Sequence, residues 1–460
     1  MVKNTKGGHS GKAGLDHLDG RHGWHPFTQM QEYCSVPQVH VASGKGCWLY
    51  DTEGRAYLDT NASIWTNVHG HNDADLNRAL SEQAGKVAHS TWLGLSHPIG
   101  ARFGAELARM APGELDRVIF SDNGSNAVEI ALKLSFQYWQ LVGRPEKRLM
   151  IGMENAYHGD TFGTMSVGGN ETFHGRFAPW MFEKRTIPAP HCREWGNRER
   201  EADSSASLAA LKALLEAESD QIAGLVLEPW IQGAAGMRLQ PKGFLQEAAG
   251  LCAEHDVHLI LDEVFVGFGR TGEFFVCEQE GVTPDFLCLA KGLSAGYLPL
   301  AATLTRESIY EAFLGSFESF RAFFHGHTFT ANPLAAAVSM ESARKLEQLI
   351  ASGALRETIE YFGRCAEAAF AEHPHVAEIR QRGLVCAVDL KPAHGGAQAR
   401  YPLHERRGLE VAVRARGFGL LLRSLADTLL IVPPLVIGRE EIDFLFENTR
   451  EAVEACLQGT

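Results

Sequence analysis

Residues 257–263, which read VHLILDE, decide the fold of this chain. The run is apolar up to residue 261 and then ends abruptly in two acids, a pattern typical of a buried strand in a parallel sheet. A carboxylate at the carboxyl end of such a strand faces the crevice where open α/β sheets bind their ligands. We therefore predict that Asp262 lies at the edge of a binding crevice.

A second apolar run, residues 286–290, ends in Lys291 in the same way. Burial next to a strand lowers the pKa of a lysine and frees its amine. Because Asp262 and Lys291 each close a strand, we expect both to point into one pocket. An acid that keeps a ring nitrogen protonated, with a lysine that forms a Schiff base, is what pyridoxal phosphate chemistry requires. A buried ion pair between two strand ends is the simpler interpretation of these two residues alone.

The size and composition of the chain narrow the class of protein. Its 460 residues predict a large domain with a smaller one. The composition, 45% hydrophobic and 22% charged, is that of a soluble globular protein, and the net charge of −13 argues against a nucleic-acid or anionic-membrane partner. Nine scattered cysteines without a C-x-x-C pair indicate reduced thiols in a cytoplasm. No apolar run approaches the ~20 residues that span a bilayer.

The pattern of elements predicts the domain organisation. Strands and helices alternate with short loops, which indicates a doubly wound α/β core. We assign residues 66–349 to a large cofactor-binding domain, and residues 24–65 with 350–460 to a small α+β domain. Residues 1–23 are rich in Gly, Lys and His, so we predict a disordered tail and no secretory signal. We expect residues 174–195 to be irregular.

A loop of small residues suggests a phosphate site. Residues 117–120 are predicted to be a strand and residues 126–140 a helix, with Gly124 and Ser125 in the loop between them. Such a loop presents free backbone N–H groups at the positive end of a helix, where phosphates bind. An ordinary helix cap is the simpler alternative, because caps are far commoner than phosphate loops.

The candidate features occur in one order along the chain. After the small-residue loop comes Tyr157, which could stack on a planar ring or be an ordinary half-buried tyrosine. With LDEV at 261–264, GFGRTG at 267–272 and AKG at 290–292, the sequence resembles the class III pyridoxal phosphate aminotransferases. The resemblance runs from about residue 24 to residue 436. It implies an aspartate aminotransferase-like fold, in which the large domain has a mixed, mostly parallel sheet.

The resemblance also implies the catalytic residues, Lys291, Asp262 and Tyr157. Lys291 would hold pyridoxal phosphate as an internal aldimine and then move the proton as base and acid. Asp262 would pair with the pyridinium nitrogen. Tyr157 would stack on one face of the ring, and Val264 on the other.

Phosphate binding is implied for two segments. Gly124 and Ser125 would bind the phosphate from their own subunit. His327 and Thr328 belong to the second segment, and Thr328 would reach the phosphate of the neighbouring subunit. The resemblance therefore implies a homodimer with shared active sites.

The motifs HPFTQM at 25–30 and HGHT at 325–328 resemble the members that convert 8-amino-7-oxononanoate to 7,8-diaminononanoate in biotin synthesis. By this resemblance the reaction is ping-pong, and Arg423 takes the carboxylate of the oxo acid. The residues implied to contact substrate are Phe27, Ile64, Trp65, Tyr157, Asp160, Arg270, Lys291, Gly326 and Arg423.

Three positions depart from the pattern of members that use S-adenosylmethionine as amino donor. Phe27 stands in place of tyrosine, Ile64 in place of the first of two tryptophans, and Phe265 at a place that is usually small. Phe and an aliphatic residue at the first two of these positions resemble the subgroup that uses lysine. The amino donor is therefore expected to be S-adenosylmethionine or lysine.

Three other functions are compatible with parts of the sequence. A class III enzyme acting on putrescine, ornithine or 4-aminobutyrate would share the same chemistry. A dinucleotide site at G-x-G-x-x-G, residues 267–272, has the wrong context, because two acids precede the loop and residues 273–285 are too few for a crossover helix. The histidine pairs at 69 and 71 and at 325 and 327 lack an H-E-x-x-H pattern, so we expect no metal.

Overall fold

The computed structural model describes residues 11–195, 198–394 and 399–457. In this part of the chain, no helix is both long and apolar enough to cross a membrane. The strands are β1 (Val41–Lys45), β2 (Trp48–Asp51), β3 (Ala56–Asp59), β4 (Arg117–Ser121), β5 (Leu149–Met153), β6 (Lys184–Ile187), β7 (His191–Trp195), β8 (Arg198–Asp203), β9 (Ile222–Leu227), β10 (Ile231–Gln232), β11 (Arg238–Leu239), β12 (His258–Asp262), β13 (Phe286–Leu289), β14 (Ala301–Thr305), β15 (Val376–Arg382), β16 (Val385–Leu390), β17 (Leu420–Leu421), β18 (Arg423–Leu425) and β19 (Thr428–Ile431).

The helices range from single turns to five turns. They are α1 (Lys12–His22), α2 (Met30–Tyr33), α3 (Ala62–Trp65), α4 (Ala74–Ala84), α5 (Pro98–Met110), α6 (Gly124–Leu141), α7 (Phe162–Val167), α8 (Glu171–His174), α9 (Ser205–Glu218), α10 (Phe244–Glu254), α11 (Val276–Gln279), α12 (Glu307–Glu311), α13 (Pro333–Ala351), α14 (Ala354–Phe370), α15 (Arg407–Ala415) and α16 (Arg439–Leu457).

A seven-stranded sheet forms the centre of the large domain, in the order β4-β14-β13-β12-β9-β5-β6. Strand β12 pairs in parallel with both β13 and β9, and β14 alone runs antiparallel to its two neighbours, β13 and β4. All five residues of β12 and all six of β9 are buried, which is why these strands are continuous apolar runs in the sequence. The sheet is mixed and mostly parallel, as predicted.

The register of the sheet brings three strand ends together. Asp262 pairs with Cys288 across β12 and β13, and Leu261 pairs with Leu227 across β12 and β9. The residues that follow the three strands, among them Glu228 and Lys291, therefore leave the sheet at the same edge. The carboxyl edge of a parallel sheet is where α/β proteins bind ligands.

One four-stranded sheet, β1-β2-β3-β17, contains strands from both ends of the chain. Strands β2 and β3 form an antiparallel hairpin, and its turn is held by Asp51 Oδ1, which accepts from the N–H groups of Glu53 and Arg55 at 2.9 Å each. Strand β3 also pairs in parallel with β17, and a second sheet has the order β15-β16-β19-β18. The pairing of β3 with β17 thus places residues from both ends of the chain in one sheet.

The prediction of a disordered tail is wrong for residues 12–22, which form α1. Two acids of the helix bind the segment that follows it. Asp16 lies 2.7 Å from His40, and Asp19 accepts from the Tyr33 hydroxyl at 2.6 Å. These contacts over long sequence separations stabilise a helix whose own apolar pattern is weak. Residues 1–10 lie outside the described residues.

The expectation of irregular structure over residues 174–195 is also wrong in part. Residues 184–187 form β6, which pairs in parallel with β5 at the edge of the central sheet. Ile187 is the only buried residue of this strand, so its sequence lacks the apolar run that marked the central strands. An edge strand of this kind is defined by its pairing partner more than by its own composition.

Candidate active site

A cavity of about 730 Å³ opens at the carboxyl edge of the central sheet. Asp262, the last residue of β12, and Lys291, which follows β13, both line it. The structure thus brings the two residues singled out in the sequence to one cavity. The parallel pairing of β12 with β13 is the reason, because it places the two strand ends side by side.

The carboxylate of Asp262 is buried and has a donor at each oxygen. Oδ2 lies 2.8 Å from Nδ1 of His158, and Oδ1 accepts from the N–H of Val264 at 3.0 Å. His158 is itself buried, with 0% of its side chain exposed. These contacts fix the direction of the carboxylate, and they make it suited to bind a protonated ring nitrogen.

The amine of Lys291 lies in an apolar environment. Its Nζ is 4.6 Å from the centre of the Trp65 ring and 5.4 Å from that of Phe265. Burial lowers the pKa of Lys291 to about 8, although the negative charges of Asp262 and Glu228 oppose the shift. About a tenth of the amine is therefore neutral at pH 7, far more than for an ordinary lysine, and the neutral form is the one that attacks carbonyl groups.

A third ionisable residue, the buried Glu228, also lines the cavity. Glu228 follows β9, and its carboxylate accepts from the N–H of Tyr157 and the N–H of Gly233, each at 3.0 Å. Burial raises the pKa of Glu228 to about 7. We gave Glu228 no role from the sequence. The signal was present, because Glu228 ends an apolar strand in the same way as Asp262 does.

The loop before α6 forms one end of the cavity. Asn123 caps the helix through Oδ1, which accepts from the N–H of Asn126 at 3.0 Å. Gly124 and Ser125 form its first turn and line the cavity. The amides there lie at the positive end of an 18-residue helix, so the loop can bind a phosphate in addition to being capped.

Two glycines are required for this loop to approach its neighbours. A Cβ on Gly124 would lie 2.5 Å from Cγ1 of Val264, and one on Gly159 would lie 2.3 Å from Cβ of Ser125. The Ser125 hydroxyl also lies 2.9 Å from that of Thr161 and 3.0 Å from that of Thr164. The position of Ser125 is therefore held from several sides.

Tyr157 and Val264 both line the cavity, as a stack on either side of a ring would require. The Tyr157 hydroxyl donates to Oδ2 of Asp160 at 2.9 Å, and burial raises the pKa of the phenol. The ring is further supported by His174, stacked at 5.7 Å between centres. The orientation of Tyr157 is thus set by its neighbours.

Trp65 and Ile64 lie on a strained turn beside the amine. Residues 62–65 all have positive φ, between 45° and 68°. Each such residue costs about 1–2 kcal/mol relative to a right-handed conformation. The turn places Trp65 in the cavity, 4.4 Å from Phe265, while Ile64 is 51% exposed. Among the described atoms, Trp65 Nε1 is buried and has no hydrogen-bond partner.

Three further residues that are implied to contact substrate lie in environments unlike one another. Phe27 is 61% exposed and packs edge-on against Tyr157 at 6.4 Å. Asp160 is bound by Tyr157 and by Nε2 of His174 at 3.0 Å. Arg423 begins β18, and burial lowers the pKa of its guanidinium. Their contacts with substrate stay predictions.

Arg270 does not point toward solvent. Its buried guanidinium donates to the carbonyl oxygens of Pro433 at 2.6 Å and Leu384 at 3.3 Å, and burial lowers its pKa to about 9. Arg270 therefore connects the loop after β12 to the C-terminal region. The contact of Arg270 with substrate stays a prediction.

Gly326, His327 and Thr328 lie on a separate exposed segment. His327 is 3.0 Å from His325 through the two Nε2 atoms, and its Nδ1 is 3.5 Å from Oδ2 of Asp122, at the loop before α6. Gly326 and Thr328 are exposed in the single chain. The segment is thus anchored to the rim of the cavity.

Comparisons with known proteins agree with this geometry. The family model described as aminotransferase class-III matches residues 30–453. A relative from Geobacter sulfurreducens, named adenosylmethionine-8-amino-7-oxononanoate aminotransferase, is 44% identical over 443 residues, covering 96% of this chain and 97% of its own.

Two solved structures are also similar. The enzyme of the same name from Methanocaldococcus jannaschii superposes with a TM-score of 0.91 and 35% identity, covering 97% of this chain and 100% of its own. An amine transaminase from an uncultivated Pseudomonas species, described as PLP-bound, has a TM-score of 0.83 and 30% identity, covering 94% of this chain and 98% of its own.

Proposed function

Because this chain belongs to the class-III aminotransferases, we propose that it converts 8-amino-7-oxononanoate to 7,8-diaminononanoate in biotin synthesis. The predicted family, fold class, enzyme class and use of pyridoxal phosphate are confirmed. The observation that carries the proposal is the meeting of Lys291 and Asp262 in one cavity, in a chain 44% identical to a relative named for this substrate.

The cavity residues fit pyridoxal phosphate. Gly124 and Ser125 would bind its phosphate. A side chain at position 124 would collide with Val264, so a glycine is required at this end of the cavity. Asp262 would bind the ring nitrogen, and Tyr157 and Val264 would cover the two faces of the ring. Bound pyridoxal phosphate supplies an electrophilic carbonyl and a ring that accepts electrons.

The residues of the chain supply the proton transfers. Lys291, with a pKa of about 8, can take a proton from carbon and return it in the reverse sense. Trp65 and Phe265 keep water away from the amine. Donor and acceptor would occupy the same cavity in turn, in a ping-pong cycle.

Arg423 supports an oxo acid as acceptor. Its guanidinium is largely buried and makes few hydrogen bonds to water. The carboxylate of the oxo acid would replace those hydrogen bonds and pair with the charge. Phe27 and Ile64, both exposed apolar residues, would contact the alkyl chain of the acceptor. Putrescine has no carboxylate for Arg423, whereas ornithine and 4-aminobutyrate each have one, so this residue separates the proposal from a putrescine aminotransferase only.

Two observations bear on the amino donor. The names of the relatives support S-adenosylmethionine. The bulk of Phe265 next to Trp65, with a ring separation of 4.4 Å, narrows the cavity beside Lys291 and supports the smaller donor lysine. We therefore keep both donors in the proposal.

We further propose a homodimer located in the cytoplasm. Large apolar side chains are exposed in the single chain, and they would be covered by a second copy: Leu93, Leu95, Phe317, Phe320, Phe324 and Phe329. In such a dimer Thr328 would reach the phosphate of the partner. Free cysteines among the described residues support a reducing compartment.

Half-reaction kinetics test the proposal. The purified protein is expected to show a visible absorption band that borohydride abolishes, and Lys291→Ala should remove both the covalent cofactor and the activity. Each donor is then mixed with the enzyme, and 8-amino-7-oxononanoate is compared with putrescine, ornithine and 4-aminobutyrate. Faster turnover of the ω-amines than of 8-amino-7-oxononanoate would reject the proposed substrate.

A further inference from the structure

Residues 62–65 form a left-handed turn in the wall of the cavity. Their φ angles are 45°, 49°, 65° and 68°, in the region that L-residues rarely adopt. The turn is closed by the N–H groups of Trp65 and Thr66, which donate to the carbonyls of Asn61 at 2.7 Å and Ala62 at 2.9 Å. Such a run persists only where the surrounding structure over-determines it.

The carboxylate of Asp59 supplies that support. Its Oδ1 accepts from the N–H of Asn61 at 3.1 Å. Its Oδ2 accepts from the N–H of Ser63 at 2.9 Å and from the Ser63 hydroxyl at 3.1 Å. Because only 4% of the Asp59 side chain is exposed, these protein donors take the place of water.

The imidazole of His71 holds Asp59 from the opposite side, with Nε2 at 2.9 Å from Oδ2. Asn67 determines its tautomer. Oδ1 of Asn67 accepts from the N–H of Gly70 at 2.7 Å, so its Nδ2 is a donor, and this Nδ2 lies 3.2 Å from Nδ1 of His71. Nδ1 is then an acceptor, and Nε2 carries the proton that is donated to Asp59.

The turn determines where Trp65 lies. Its ring centre is 4.6 Å from the amine of Lys291 and 4.4 Å from the ring of Phe265. A right-handed or extended course through residues 62–65 would send this side chain in another direction.

We propose that Asp59 is a positioning residue of the transamination reaction. It holds the left-handed turn, and through the turn it places Trp65 against the substrate next to Lys291. This inference rests on the proposed function, since it concerns substrate binding in the same cavity. Asp59 itself touches neither the amine nor the cavity contents.

The variant Asp59→Asn tests the proposal, and Asp51→Asn is its matched control. Both acids lie at the end of a hairpin strand and are buried. Asp51 also accepts several hydrogen bonds, but its donors belong to the hairpin, at Glu53, Arg55 and Tyr57. The two variants should therefore lose similar amounts of folding stability. Only Asp59→Asn should also lose the positioning of Trp65 against the substrate.

Loss of hydrogen bonds to a charged group predicts that Asp59→Asn raises the KM for the acceptor about tenfold or more. We expect its kcat to change less than about threefold, and the KM of Asp51→Asn to stay within about twofold of wild type. In a Trp65→Ala background, Asp59→Asn should add less than about twofold to KM. Fully additive effects, or an equal rise in KM for Asp51→Asn, would overturn the proposal.

A second pair of variants serves if Asp59→Asn does not fold. His71→Gln keeps a donor for Asp59 and should retain the wild-type KM, whereas His71→Leu should raise it. If wild-type enzyme does not turn over 8-amino-7-oxononanoate, the proposed function fails. The same comparisons made with an ω-amine donor and pyruvate then test Asp59 separately.

Discussion

The Nδ1 atom of His158 lies 2.8 Å from Oδ2 of Asp262, and both side chains are buried. His158 belongs to the loop after β5 and Asp262 to the end of β12, so the contact joins two strand ends of the central sheet. The N–H of Val264 occupies the other oxygen of Asp262 at 3.0 Å. The direction of the carboxylate is therefore set by the protein itself.

Replacement of His158 by leucine should weaken the interaction of Asp262 with the ring nitrogen of pyridoxal phosphate. A hydrogen bond to a charged group contributes about 1.5–3 kcal/mol, so cofactor retention or the half-reaction rate should fall roughly 10- to 100-fold. Absorbance during cofactor dissociation and stopped-flow half-reactions measure the two quantities. His258→Leu is the control, because His258 is a buried histidine of β12 that bonds to Ser135 at 2.9 Å. Equal losses in both variants would contradict a specific role for His158.

The buried amine of Lys291 should make the stability of the apoenzyme depend on pH. Its folded pKa of about 8 lies below the ordinary value of 10.5, so the folded state disfavours the charged amine. The full penalty, on the order of 3 kcal/mol, is present below pH 8. The penalty falls between pH 8 and 10.5, where the folded amine is already neutral and the unfolded amine still carries its proton. Above pH 10.5 both states are neutral and the penalty is absent.

Lys291→Met apoenzyme should accordingly be more stable than wild type at pH 7, and its advantage should shrink as pH approaches 10.5. Urea unfolding at several pH values measures the difference. Lys86→Met, at an exposed position, should show no such pH dependence. A constant difference across this pH range would mean that the amine of Lys291 is not desolvated.

Much of the fold could be predicted because its central strands have local signals. The apolar runs at 257–261 and 286–290 correspond to β12 and β13, which are buried on both faces. Strands β6 and β14 were not predicted. Residues 301–305, which form β14, read AATLT, and small residues in a short run mark neither a strand nor a helix. Their strand conformation depends on pairing with neighbours distant in sequence.

In the candidate site, too, some residues could be predicted from the sequence and others could not. Asp262 and Lys291 could be found because each follows a strand, and strand ends meet at one edge of the sheet. The direction of a side chain within a loop has no such local rule. Arg270 points to carbonyl groups of residues 384 and 433, more than 100 positions further along the chain. These contacts of Arg270 could therefore not be predicted from the sequence.

Replacement of Phe265 by alanine should change the preference for the amino donor. The Phe265 ring lies 4.4 Å from Trp65 and 5.4 Å from the amine of Lys291, so its removal widens the cavity at the reacting group. We expect the ratio of kcat/KM for S-adenosylmethionine to that for lysine to rise about fivefold or more, since one such contact contributes roughly 1–3 kcal/mol to discrimination. Half-reaction rates with each donor give the ratio. An unchanged ratio would show that Phe265 does not limit the donor.

A buried ion pair lies between β15 and β16, and its arginine also contacts the loop beside the cavity. Arg380 of β15 binds both oxygens of Asp389 at 2.6 and 2.8 Å, and it also donates to the carbonyl of Gly236 at 2.7 Å. Gly236 follows the turn that contains Gly233, whose N–H binds Glu228 in the cavity. Removal of one partner leaves an unpaired buried charge, which usually lowers the free energy of unfolding by about 3–5 kcal/mol.

Arg380→Met should therefore lower the free energy of unfolding by about 3–5 kcal/mol, because Asp389 is left buried without its partner. The double variant Arg380→Met, Asp389→Leu should recover much of that loss, since the buried charge of Asp389 is removed and only Glu378, 3.2 Å from Arg380 and 17% exposed, still loses this ion pair. Arg344→Met, which breaks the exposed pair with Glu341, should change stability by less than about 1 kcal/mol. Urea unfolding of the three holoenzymes measures these differences. If the double variant were no more stable than Arg380→Met, the loss would come from the missing bond to Gly236 and the packing of the arginine stem, and the charge of Asp389 would have no part in it.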